Sequence, residues 1–227
     1  MSCFIVRLSV VAIFLPLVAC HPLEDAYCGA MLPKPGLDIV TVPPHYALEQ
    51  NRSARQLGDA HASDGERITY GLTTAMPMTR AEIKLHVAKL PGAVCVRPDI
   101  QVTLAYQPMQ VDLAEELARG SCPYETVLGH ELKHVEAYRV HLATVATTLK
   151  AEIQARIASH LPARYASLEA SETAMQAFQD EWLVPRANDL LGRVTAEQSA
   201  VDSAAEYARV ASACPGDALL SGATAPR

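Results

Sequence analysis

The chain has 227 residues, with 19 Lys+Arg against 25 Asp+Glu and a formal net charge of −6. Half of the residues are apolar and 19% are charged, which excludes a disordered or collagen-like chain and provides for a buried core. The acidic balance and the lack of a basic stripe argue against a nucleic-acid partner, and 5% aromatic residues argue against a stacking platform.

Residues 1–19 read as a signal peptide. Arg7 is followed by the apolar run Val10–Ala19, which is too short for a permanent membrane span. The run ends Leu17-Val18-Ala19-Cys20. This resembles the lipobox of bacterial lipoproteins, in which the Cys is lipidated and becomes the first mature residue. The alternative is an ordinary signal peptide that ends near a Cys. His21 follows Cys20 where inner-membrane retention would favour Asp. The resemblance therefore implies a lipid-anchored protein of the bacterial envelope, on the outer membrane and facing the periplasm. The membrane is reached through the lipid alone, because no other apolar run is long enough to span it.

Once Cys3 leaves with the signal and Cys20 takes the lipid, Cys28, Cys95, Cys122 and Cys214 remain. An even count in an oxidising compartment points to two disulfides, and three pairings are open.

Residues 20–36 read as a lipidated N-terminus and a tether that leads into the start of the fold. From 37 to 113 the apolar residues alternate, as in Ile68-Tyr70-Leu72, Ile83-Leu85-Val87 and Ile100-Val102-Leu104-Tyr106. Period two predicts three to five strands with one buried face. Polar turns at Asp59–Glu66 and Pro91-Gly92 separate them. The short connections predict mostly antiparallel pairing. From 122 the period changes. Pro123 and Glu125 mark a helix start. Leu128, Leu132, Val135, Leu142, Ala146, Leu149, Ile153 and Ile157 form one stripe, and Pro162 ends the helix near 160. A second helix is predicted from 163 to 183, stopped by Pro185. A third runs from 193 to 212, followed by a flexible tail at 215–227. The fold class is α+β, with a sheet half at 37–113 and a helical half at 122–214 in one domain.

His130-Glu131-Leu132-Lys133-His134 is an H-E-x-x-H sequence inside the long helix. Residues four apart share a helix face, so two imidazoles can chelate one zinc ion. Glu131 can then act as general base on a zinc-bound water whose pKa the metal lowers. The bland alternative is three solvated polar residues on a helix flank.

These residues, with the strand-like Asp99–Tyr106 before them, resemble the zincin metallopeptidases. The stretch Cys122–Tyr138 resembles predicted secreted zinc proteases of bacteria. The resemblance implies His130 and His134 as ligands, Glu131 as the base, Zn2+ as cofactor, and a strand near the active-site helix that pairs with an extended protein or peptide substrate.

The third ligand departs from the metzincin pattern. Ala137 and Val140 stand where that family has Gly and His, and His141 comes one residue late. On an unbroken helix His141 lies about 10 Å from His134, which makes it a poor ligand and more plausibly a polar cleft residue. Glu152 is on the same helix and cannot fold back. The last helix offers Asp202 and Glu206. A Cys122–Cys214 bridge, with Cys28–Cys95 stapling the sheet half, would set that helix antiparallel to the first. His130 would then be level with Glu206, and His134 with Asp202, each pair equally far from its cysteine. Glu206 is expected as third ligand and Asp202 as a carboxylate holding an imidazole. Tyr207, His141 and Tyr138 are candidates by position for stabilising an oxyanion.

The expected function is therefore a zinc metallopeptidase. The competing reading is a non-catalytic envelope lipoprotein that uses its helices as an interaction scaffold. A lesser one is a zinc module without hydrolysis.

Overall fold

The computed structural model describes residues 27–61, 68–161 and 163–216. The signal peptide, Cys20, most of the Asp59–Glu66 turn and nearly all of the C-terminal tail lie outside the described residues.

The elements are β1 (Gly36–Thr41), β2 (Tyr46–Arg52), α1 (Ala54–His61), β3 (Gly71–Leu90), β4 (Ala93–Ala114), α2 (Cys122–His160), the two-residue β5 (Arg164–Tyr165), α3 (Leu168–Ala177), a π-helical stretch (Phe178–Leu183), α4 (Val184–Gly192), α5 (Thr195–Val201) and α6 (Ala204–Ser212). The expected α+β class holds. The expected mostly antiparallel sheet does not form. β4 pairs antiparallel with β3 and β5, but parallel with β1 and β2.

The reason lies in the link between β1 and β2. Both lie along one edge of β4 in a single register, Gly36 opposite Asp99 and Tyr46 opposite Met109. They are two collinear pieces of one extended stretch, interrupted at Pro43-Pro44. Proline supplies no N–H to a ladder, so pairing lapses there without the chain reversing. A short connection implies a hairpin only when it turns. Pro91-Gly92 does turn. Leu90 pairs with Ala93, and Gly92 adopts φ +71°, a conformation that a side chain opposes.

β4 is buried along most of its length because both its edges are paired and the face carrying Ile100, Val102, Leu104 and Tyr106 packs into the core, while Asp99 and Gln101 on the other face are exposed. The segment Asp99–Tyr106 is therefore central, with β3 on one edge and β1 on the other over Asp99–Leu104. It cannot take a further strand. β3 has β4 as its one strand partner among the described residues. Beyond Pro77 its edge carries the exposed charges Arg80, Glu82, Lys84 and Lys89, which discourage strand addition.

The main core forms where Ile100, Val102, Leu104 and Tyr106 of β4 meet Leu142, Val145, Leu149 and Ile153 of α2 and Leu190 and Leu191 of α4. A second core joins Leu57, Val111, Leu113, Tyr124, Val127 and Val210 beneath the start of α2. It holds the first turns of α2 against the sheet. α2 begins at the N-cap Ser121, whose side chain accepts from the Tyr124 N–H. Its buried stripe departs from the expected one in the first half. Leu132 is exposed, and Val127, His130, Glu131 and His134 take the inward positions.

Two bridges close the structure, Cys28–Cys95 and Cys122–Cys214. Cys28 is fully buried beside Cys95 and Ala163, so residue 28 belongs to the folded body. Cys122–Cys214 ties the first turn of α2 to the end of α6.

The helical half differs from expectation at three points. The second helix begins at Leu168, capped by Ser167, because Arg164 and Tyr165 pair with β4 as β5. Pro185 does not end the second helix, which runs on from α3 into α4. The π-helical turn just before Pro185 shifts the hydrogen-bond ladder, with the Val184 N–H reaching Gln179 O, and so absorbs the missing donor. The last helix is broken at Asp202-Ser203. There α5 ends, and Ser203 caps α6 by accepting from the Glu206 N–H at 3.3 Å.

Candidate metal centre

His130 and His134 lie one turn apart on the inward face of α2, 7% and 8% exposed, with Glu131 between them at 3%. They are not solvated residues on a flank. Burial of three polar side chains demands partners, and each has them. The Nδ1 of His134 is 2.6 Å from Gln198 Oε1, and the Nδ1 of His130 is 3.4 Å from Glu206 Oε1. Both outer partners are acceptors, which assigns the ring hydrogens to Nδ1 and leaves a lone pair on each Nε2.

Those lone pairs converge. The two Nε2 atoms are 3.3 Å apart. Asp202 Oδ1 is 3.3 Å from the Nε2 of His130 and 3.2 Å from that of His134. Three electron pairs aimed at one point repel unless a proton or a metal cation lies among them. At the usual zinc–imidazole bond length of about 2.0–2.1 Å, neighbouring donors of a tetrahedral set are about 3.3–3.4 Å apart. The residues present thus fit a divalent metal in spacing, donor type and outer support. His130, His134 and Asp202 form the group that could hold a metal ion.

The break between α5 and α6 makes this possible, because Asp202 is the C-cap residue of α5 and turns towards the imidazoles. Glu206 was expected as ligand and Asp202 as the supporting carboxylate. In the structure their places are exchanged. Glu206 sits behind His130 and is engaged by Lys133 Nζ at 2.7 Å and by Arg209 Nη2 at 2.6 Å. A carboxylate held by two cations is a poor competitor for a third.

The electrostatics favour positive charge at the centre. Burial works against a charged His134, yet Asp202, Glu131 and Gln198 outweigh it and raise its pKa. Burial also pushes Asp202 upward, but its contacts with both imidazoles and Tyr207 hold it well below the usual carboxylate range. Arg209 first, then Lys133 and His130, keep Glu206 low against the effect of burial. Glu131 goes the other way, its pKa raised by burial despite a hydrogen bond from Thr73.

Glu131 is held by β3. Thr73 Oγ1 donates to Glu131 Oε2 at 2.7 Å, and a Cβ on Gly71 would stand 2.4 Å from Glu131 Oε1 and 2.7 Å from Val127 Cγ1. Only glycine lets the strand pass so close. Thr73→Val keeps the shape and removes the donor. It is expected to lower stability by about 1–3 kcal/mol, the scale for a hydrogen bond to a charged or buried acceptor, as read by urea denaturation. Thr73→Ser is expected to restore most of that loss.

Among the other candidates, Tyr207 reaches the site. Its O–H donates to Asp202 Oδ1 at 3.0 Å, and its ring centroid is 5.7 Å from that of His130. Tyr138 packs on Tyr106 at 4.6 Å, and Glu152 pairs with Arg186. His141 is not a ligand, because its ring nitrogens face Glu197 Oε1 and Leu190 O.

Sequence reasoning missed Gln198, Thr73 and the break. The break had a signal, since Ser203-Ala204-Ala205-Glu206 has the S-x-x-E pattern of a helix start. Gln198 had a weaker one, standing one turn before Asp202. Thr73 had none, being 58 residues from Glu131. Comparison of the chain with protein-family models, with curated proteins and with solved structures gave no match.

Proposed function

We propose that this protein is a zinc-dependent metallopeptidase of the zincin type that hydrolyses peptide bonds. The observation that carries the reading is the convergence of His130 Nε2, His134 Nε2 and Asp202 Oδ1 within 3.2–3.3 Å, beside a buried carboxylate. Zinc held there supplies Lewis acidity to a carbonyl and acidifies water.

The chain's own residues supply the rest. Glu131 takes the proton of the attacking water and passes it to the leaving amine. Thr73 and Gly71 fix the direction of its carboxylate. Tyr207 donates its O–H to Asp202 and holds that carboxylate beside the centre. Gln198 and Glu206 keep the imidazoles in the ligating tautomer. The substrate is an extended protein or peptide segment laid along the first residues of β3, where the strand passes Glu131 and precedes Pro77 and the charged stretch. The zincin resemblance had given this role to Asp99–Tyr106, whose edges are both taken.

The two disulfides support an exported protein in an oxidising compartment, in keeping with the leader and a lipid on Cys20. No helix among the described residues is long and apolar enough to cross a membrane.

The test is metal content. Wild-type protein is expected to carry one zinc per chain by elemental analysis, and His134→Ala to carry almost none. Equal, negligible zinc in both would leave the helical-scaffold reading in its place.

A further inference from the structure

His141 is the buried ionisable group that the proposed chemistry does not use. It is 6% exposed, two turns beyond His134 on α2. Its Nδ1 is 3.0 Å from Glu197 Oε1, and its Nε2 is 3.0 Å from the backbone O of Leu190. A carbonyl and a carboxylate both accept, so both ring nitrogens are engaged. Glu197 faces the ring from α5, and Leu190 is in the last turn of α4. β4 contributes Tyr106, with ring centroids 6.3 Å apart, and Tyr138 of α2 lies against Tyr106.

The segment joined by this contact is the one that carries the ligand carboxylate. None of the seven residues of α5 is buried. Hydrophobic burial therefore contributes little to docking this helix, and its hold on α2 is polar. Glu197 meets His141, Gln198 meets His134, and Asp202 at the C-cap meets both ligating imidazoles. Two of these three contacts involve the ligands themselves. The third, made by His141, is independent of them.

We propose that His141 is a positioning residue. Through its two ring nitrogens it clamps Glu197 and the end of α4, docks α5 on α2, and so presents Asp202 to the metal. The part of this inference that concerns Asp202 rests on the metallopeptidase reading; the docking does not.

The experiment compares wild type, His141→Gln, Glu197→Ala and the double variant. Amide hydrogen exchange is read in metal-free protein, and zinc affinity by competition with a chelator. Each single variant is expected to speed exchange across 195–202 at least about tenfold, with β4 unchanged. Each is expected to weaken zinc binding about 10- to 100-fold, the range for groups that orient ligands. The double variant is expected to lose no more than the worse single one, since both break one contact. Arg186→Ala breaks the Glu152–Arg186 pair elsewhere between α2 and α4, and is expected to leave zinc affinity unchanged. Unaltered exchange in α5 overturns the clamp. Faster exchange with wild-type zinc affinity overturns the positioning role. A wild type that takes up no zinc overturns the metallopeptidase reading instead, while exchange still decides the docking.

Discussion

Glu131→Gln is expected to retain one zinc per chain and to lower kcat by about 10²–10⁴-fold, the usual contribution of a positioned general base. The substitution isolates proton transfer. The amide has the size of the carboxyl, and Thr73 Oγ1, at 2.7 Å from Glu131 Oε2, can still donate to the amide oxygen. In the metal-free protein its cost to the fold is small or negative. Burial raises the pKa of Glu131 there, which disfavours the ionised form, and a neutral isostere removes that cost. The expected thermal midpoint of the metal-free variant is therefore equal to or slightly above that of metal-free wild type. Glu131→Asp withdraws the carboxylate by one methylene, and is expected to lie between the two in activity. Zinc content and thermal melting are read beside peptide turnover. An inactive, zinc-loaded, stable Gln variant supports the assignment. Full activity in that variant removes Glu131 from the chemistry.

The parts of this structure legible in the sequence were the local ones. The helix Cys122–His160 followed from its apolar period, its start signals and the Pro beyond it. The hairpin at Pro91-Gly92 followed from turn chemistry. Spacing placed His130 and His134 on one face. The parallel course of β1 and β2 was not legible, because two prolines can interrupt a strand as well as turn it, and only the register with β4 distinguishes the two. Helix continuity misled in both directions. Pro185 reads as a stop, yet a π turn carries the helix through it, and Asp202-Ser203 holds neither Pro nor Gly, yet it divides a helix. The contacts that hold Glu131 join β3 to α2 across a long stretch of chain, and no local pattern announces such a pairing.

The break at Asp202-Ser203 carries the second large expectation. Asp202→Ala is expected to reduce zinc affinity by more than the roughly 10- to 100-fold that loss of a supporting partner costs, whereas Glu206→Gln is expected to fall within that range. The order follows from what each carboxylate faces. Asp202 Oδ1 is within 3.3 Å of both Nε2 atoms, the only ring nitrogens of His130 and His134 left with lone pairs. Its removal takes away one of the three donors that could hold the ion and leaves two imidazoles. Glu206 meets the opposite nitrogen of His130, at 3.4 Å. A glutamine there still accepts from Nδ1–H and preserves the tautomer, so the loss is that of charge behind one ligand. Glu206→Gln also leaves Lys133 and Arg209 without their shared anion, next to a cation site, which accounts for a measurable weakening. Were α5 and α6 one unbroken helix, the longer Glu206 would be the natural ligand and the order would reverse. Chelator competition on the two variants therefore reports on backbone geometry as well as on ligation: a greater loss from Glu206→Gln than from Asp202→Ala would mean that the helix does not break at 202–203.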